Sequence, residues 1–182
     1  MRPDDAGPCW RGASGMFLAR RRAMIGASLA AMGSLGVVAL YQVGLTAHLP
    51  DPPLPSFDAD SVHGSDEAYL WLGTPDALLG LASYATTAIL AAAGGPDRAS
   101  VQPWIPLALA MKVTVDVATA SALTGTALTQ QHALSAWSLL VTGATGAMAL
   151  LVVPEARAAL ASLYRAGDGR SERKEARTCW IT

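Results

Sequence analysis

The chain has 182 residues, of which 52% are hydrophobic and only 15% charged, a balance that suits a bilayer better than water. Thirteen Lys and Arg stand against fourteen Asp and Glu, so the net charge of −1 gives no ground for a nucleic-acid or acidic partner. What matters is placement, because the charges lie between uncharged runs and a helix needs about 20 apolar residues to cross hydrocarbon.

Residues 1–22 form a basic leader with Arg2, Arg11, Arg20, Arg21 and Arg22. The first span is expected over 23–49, Ala23 to Leu49, with Pro50 as its stop. Arginines before an apolar run also open a secretory signal peptide. This run is longer than a signal core and follows a polar leader, so an uncleaved first helix is expected.

Residues 50–76 hold Asp51, Asp58, Asp60, Asp66, Glu67 and Asp76 and no Lys or Arg, which marks an outer loop. It opens with LPDPPLP, whose prolines keep the backbone extended. SDEAYLWLG, residues 65–73, then predicts a short amphipathic helix across the outer mouth, started by Ser65, Asp66 and Glu67, with Tyr69 and Trp71 at the interface. Further spans are expected over 77–95, between Asp76 and Asp97, over 104–130, and over 133–153, ending at Pro154. The tail, 156–182, carries Arg157, Arg165, Arg170, Arg173, Lys174 and Arg177. The expected fold is an all-α integral membrane four-helix bundle, multi-pass in a bacterial inner membrane, with both termini cytoplasmic.

Gly26, Ala30, Gly33, Gly36, Ala118, Ser121, Gly143 and Gly146 are expected to let helix backbones approach closely. Lys112 and Asp116 sit four apart on the third span, hence on one face, as an intramembrane ion pair. At 1.5 Å per residue Asp116 lies about 18 Å along the helix from Trp104, near the midplane. The pair reads either as structural glue or as part of a proton path. His132 reads as a solvated loop histidine. No metal-ligand cluster, nucleophilic triad, paired-carboxylate site or nucleotide-binding glycine loop is evident, so neither a metal nor a nucleotide is expected.

Three segments in order resemble the vitamin K epoxide reductase family. LGTPDALLGLASY, Leu72 to Tyr84, is similar to the family's loop-to-second-helix pattern. Ala59-Asp60-Ser61-Val62-x-x-Ser65 resembles an outer-loop pattern Cys-Asp-x-Val-x-x-Ser, and Leu134-Ser135-Ala136-Trp137-Ser138-Leu139 resembles Leu-Cys-x-Trp-Cys-Leu at the start of the fourth helix. The resemblance implies a four-helix domain whose outer loop caps a quinone pocket. It also implies that the redox cysteines are replaced by Ala59, Ser135 and Ser138. Serine and alanine cannot run a relay that depends on thiolate attack on disulfides. The remaining cysteines, Cys9 and Cys179, fall on the expected cytoplasmic side, where thiols stay reduced.

By the same resemblance Asp76, Thr142 and Trp137 are candidate quinone contacts. Asp76 is equally readable as a helix N-cap, and Thr142 as a hydroxyl bonding its own backbone. The expected function is a family member without thiol–disulfide catalysis, a pseudoenzyme that binds a quinone or an isoprenoid lipid or serves as a scaffold for a membrane protein partner. The alternative is a quinone-linked membrane oxidoreductase that relies on partner thiols or on proton-coupled chemistry.

Overall fold

The computed structural model describes residues 9–52, 57–64, 69–70, 74–131 and 135–178. Four long helices dominate: α1 (Cys9–Gln42), α3 (Asp76–Ala92), α5 (Trp104–Thr126) and α6 (Ala136–Thr178), with the short helices α2 (Ala59–His63) and α4 (Arg98–Val101) between them. α1 packs against α3 and α6, α6 also packs against α5, and α3 meets α5 to close the bundle. The buried centre is Met24, Ala31, Tyr84, Ala91, Leu109, Val113, Met148 and Val152.

Three of these helices contain segments long and apolar enough to cross a bilayer, Gly15–Gln42, Trp104–Thr129 and Ala136–Gly167. α3 is a shorter apolar helix of 17 residues, about 25 Å long and at the lower limit for a crossing. Leu29, Ile89, Met111, Val115 and Leu150 point outward and exposed. A bundle apolar on its outside as well as in its core belongs in a membrane, and the chain is an integral membrane protein of all-α fold.

Several element boundaries differ from the sequence expectation. α1 begins at Cys9, before Ala23, so Arg11, Arg20, Arg21 and Arg22 of the leader are helical. It also ends before Pro50, at Gln42. Gly44 adopts φ +78°, the Leu45 N–H bonds the Leu40 carbonyl at 2.9 Å and the Gly44 N–H bonds the Tyr41 carbonyl at 2.9 Å. That is a left-handed glycine stop that closes the helix and satisfies its last carbonyls. α3 starts at Asp76 and stops at Ala92, with Gly94 at φ +81° making the turn. α5 widens into a π turn over Ala127–Gln131.

α6 does not stop at Pro154 but runs through it to Thr178. Proline removes one N–H and costs a helix interior about 3 kcal/mol. Here the next residue, Glu155, is 3% exposed and anchored to two other elements. Those anchors offset the cost of continuing the helix through the proline.

Within the outer-loop segment the short helix is Ala59–His63, while Tyr69–Leu70 (β1) pairs antiparallel with Thr74–Pro75 (β2) and so is not helical. The remaining residues of the expected helix, 65–68 and 71–73, lie outside the described residues. The small residues also fall elsewhere than expected. A Cβ added at Gly26, Gly33, Gly36, Gly143 or Gly146 would meet nothing within 4 Å, and Ala30, Ala118 and Ser121 are exposed. They do not mediate close helix contacts. The tight approach is at Gly80, where an added Cβ would lie 2.8 Å from Leu35 Cδ1, so α1 and α3 meet there.

Candidate ligand-binding site

The site forms where the N-terminus of α6 meets the segment after α1. Asp51 Oδ1 accepts the Ala136 N–H at 3.0 Å and so caps a first-turn donor of α6. The Trp137 indole N–H donates to the Pro50 carbonyl at 3.0 Å, and Ser34 Oγ donates to the Trp137 carbonyl at 3.0 Å. These bonds fix the strap 43–52 and α1 against α6.

α2 is held above them by its own short-range chemistry. Asp58 caps it through the Ser61 N–H at 3.0 Å. Asp60 accepts the Leu49 N–H at 2.8 Å and pairs with His48 Nδ1 at 2.7 Å. The hydrogen bond from His48, then that from Leu49, holds the Asp60 carboxyl below the usual carboxylate range. Tyr41 donates its hydroxyl to the Asp60 carbonyl at 3.3 Å. With α2 so anchored, Ala59 and His63, one turn apart, are both buried.

His63 is the centre of the polar cluster. Its Nε2 lies 3.2 Å from Ser135 Oγ and 3.3 Å from Ser138 Oγ. Ser135 precedes the first turn of α6 and Ser138 follows three residues later, so both hydroxyls meet one imidazole nitrogen. Burial pushes the His63 imidazole below its ordinary pKa, against the opposing charges of Asp76 and Asp51, and so disfavours the charged ring.

Asp76 opens α3 beside this cluster. Its Oδ1 accepts from Gln42 Nε2 at 2.7 Å, while Gln42 Oε1 accepts the Ala77 N–H at 3.3 Å. Gln42 thus meets a first-turn donor of α3, and Asp76 is left as a carboxylate held at the helix start. The Oδ2 of Asp51 is buried and has no partner among the described residues.

Beneath the polar cluster is a cavity of about 100 Å³, walled by Leu35, Val38, Ala120, Leu123, Leu139 and Val141 and bordered by His63, Asp76, Ser135, Trp137, Ser138 and Thr142. An engineered cavity of roughly 150 Å³ takes a benzene ring, so this one is of the scale of one small ring or about three waters, and its largely apolar wall favours the ring. Leu123 and Leu139 are exposed at its rim. Thr142 bonds Thr124 Oγ1 across helices at 3.1 Å and not its own backbone.

Five of the expected site residues therefore converge: Asp76, Ser135, Trp137, Ser138 and Thr142. Ala59 is buried in the adjoining apolar cluster with Val38, Leu49 and Ala77. Lys112 and Asp116 form a separate centre deeper in the bundle. The Lys112 ammonium lies 2.5 and 2.6 Å from the two Asp116 oxygens, and 2.8 and 3.2 Å from the Ser83 and Thr87 hydroxyls of α3. Neither residue borders the cavity. His132 lies outside the described residues. Among the described residues no group of three His, Cys, Asp or Glu side chains could hold a metal.

Sequence reasoning missed His63, Gln42 and the buried centre at the far end of the bundle. His63 occupies a variable position of the loop pattern. Its only signal is the i, i+4 spacing from Ala59, which shares a face only if the segment is helical. At the far end, Glu155 Oε1 accepts from Arg21 Nε at 3.0 Å and Arg98 Nε at 2.9 Å, and Oε2 accepts from Arg98 Nη2 at 2.9 Å. Arg98 Nη1 also donates to the carbonyls of Leu90 and Ala91, at 2.8 and 3.2 Å, closing the C-terminus of α3.

Chemically, the cluster offers two hydroxyls, an imidazole and a carboxylate at the head of an apolar cavity. It can hydrogen-bond a polar group on a ring. It cannot form the disulfide that two cysteines would form at 135 and 138. No curated protein matches this chain. The family model described as "Vitamin K epoxide reductase family" matches residues 22–153, a stretch that contains the cavity, α2 and both serines, and the chain belongs to that family.

Proposed function

We propose that the protein binds a lipid-soluble ring compound, a quinone or an isoprenoid lipid with a ring head, without thiol–disulfide catalysis. The observation that carries this reading is the roughly ring-sized apolar cavity closed at one end by His63, Ser135, Ser138 and Asp76. His63, Asp76 and the two serines would hold the polar edge of the ring, with Trp137, Leu35 and Val141 against its face. A bound quinone would bring two-electron redox chemistry. In the matched part of the chain, residues 22–153, no cysteine is present to exchange electrons with it.

Orientation follows from the charges. The loop between α1 and α3 carries acidic residues and no Lys or Arg, while both flanks of the bundle are basic. This supports a topology with both termini cytoplasmic and the cavity toward the outer face of a bacterial inner membrane. A ring lipid diffusing in that leaflet would enter past Leu123 and Leu139. The long basic extension of α6 leaves room for a membrane protein partner at the other face.

The test is the lipid that travels with the protein. Protein purified in mild detergent and extracted with solvent should yield close to one ring-headed lipid per chain by mass spectrometry. Ala120→Trp, which fills the cavity, should lose it while keeping the melting temperature within a few degrees. No ring lipid in either protein, together with a stably co-purifying protein, would replace this reading with that of a scaffold.

A further inference from the structure

Resting on the ring-ligand reading above, we infer that the cavity selects its ligand by a hydroxyl that the ligand donates: a phenol or a quinol is taken in preference to the carbonyl-bearing quinone. The inference comes from the inventory of donors and acceptors at the cavity head. Asp76 is a carboxylate and can only accept. Gln42 Nε2 occupies its Oδ1 at 2.7 Å, and no donor among the described residues is bonded to its other oxygen.

Two of the donors bordering the same space are already used. The Trp137 indole N–H is held by the Pro50 carbonyl, and the Thr126 hydroxyl by the Ala122 carbonyl. Thr124 and Thr142 are bonded to each other, and both serine hydroxyls meet one nitrogen of His63, so each pair keeps a hydroxyl proton that a quinone carbonyl or a ring hydroxyl can accept equally well, and only the ring hydroxyl can also donate to Asp76. Burial disfavours the charged form of the His63 ring, so a carbonyl oxygen gains no strong cationic partner there.

A quinone carbonyl placed beside Asp76 sets one acceptor against another and leaves the carboxylate desolvated without compensation. A ring hydroxyl in the same place donates to it. A hydrogen bond to a charged group separates two such ligands by about 10- to 100-fold in affinity. The preferred ligand is thus the reduced form of a quinone or a hydroxylated arene, held by a site that has no cysteine pair, and so no disulfide, to take its electrons.

The experiment is anaerobic equilibrium dialysis of the full chain in lipid nanodiscs. The probes are 2-methyl-1,4-naphthoquinone and its quinol, with 2-naphthol and 2-methoxynaphthalene as a pair that carries no redox step. Quinol and naphthol should bind at least about tenfold tighter than quinone and methyl ether. Asp76→Asn, whose amide both donates and accepts, should bring each ratio to within about twofold with no loss of the folded state by circular dichroism. Equal binding of all four probes by the parent protein overturns the inference and leaves the cavity reading intact. Binding of none overturns both. A preference that survives Asp76→Asn in folded protein overturns the role given to Asp76.

Discussion

Glu155→Gln should lower stability by about 3–5 kcal/mol, the largest loss expected from any single substitution in the protein. Glu155 is one carboxylate between two guanidinium groups, and all three side chains are at most 5% exposed. Glutamine keeps the shape and one carbonyl oxygen but removes the charge, which leaves Arg21 and Arg98 as two like charges buried side by side. Removing one partner of a buried ion pair costs far more than the pair contributes when intact, because the survivor remains desolvated. The damage spreads, since Arg98 also closes the C-terminal carbonyls of α3 and Arg21 bonds the Gly95 carbonyl at 2.9 Å. Thermal unfolding followed by circular dichroism in nanodiscs measures it. Arg157→Gln, at an exposed charge two residues on, should move stability by no more than about 0.5 kcal/mol. A loss below about 1 kcal/mol for Glu155→Gln would mean that the three groups do not share a buried site.

The second large effect is expected at the Lys112–Asp116 pair. Asp116→Asn leaves the Lys112 ammonium with neutral partners alone, an amide oxygen and the Ser83 and Thr87 hydroxyls, and a charge without its countercharge in a membrane bundle should cost about 3 kcal/mol. Lys112→Met combined with Asp116→Asn should cost clearly less, because no charge remains and an asparagine can still bond both hydroxyls. The double variant being more stable than the single one is the signature of a pair. Equal melting temperatures would show that Lys112 and Asp116 are energetically independent despite their 2.5 Å contact.

What could be read from the sequence, and what could not, divides by how far apart the partners lie along the chain. Lys112 and Asp116 are on one helix, so a 3.6-residue period places them together. Ser135 and Ser138 likewise needed only the start of one helix. The Arg21, Arg98 and Glu155 centre joins residues 134 and 57 positions apart. Each reads on its own as a basic or acidic flank where chain leaves the membrane. Pro154 strengthened that misreading, because proline normally ends a helix and the contacts of Glu155 that hold α6 together are long-range. The end of α1 was misplaced for a local reason: the apolar run continues to Leu49, but a left-handed Gly44 closes the helix earlier. Small residues such as Gly26 and Gly143 suit a helix contact or a lipid face equally well, and only the packing of the bundle decides which. His63 was hidden because α2, five residues long, carries too little pattern to reveal its phase.

The most direct test of the central claim, a family bundle that keeps its cavity but has hydroxyls where thiols would act, is to put the thiols back. Ser135 and Ser138 both contact His63 Nε2, within 3.3 Å, so two cysteines there would face one another at the head of the cavity, with the first turn of α6 favouring the thiolate. Ser135→Cys with Ser138→Cys, purified reduced and given 2-methyl-1,4-naphthoquinone without oxygen, should form an intramolecular disulfide as the two thiols pass two electrons and two protons to the quinone. A thiol-alkylation gel shift and the matching loss of quinone absorbance report it, and Ala120→Trp in the same background should suppress it. A folded double variant that stays fully reduced, or one that oxidises at the same rate with the cavity filled, would contradict the account.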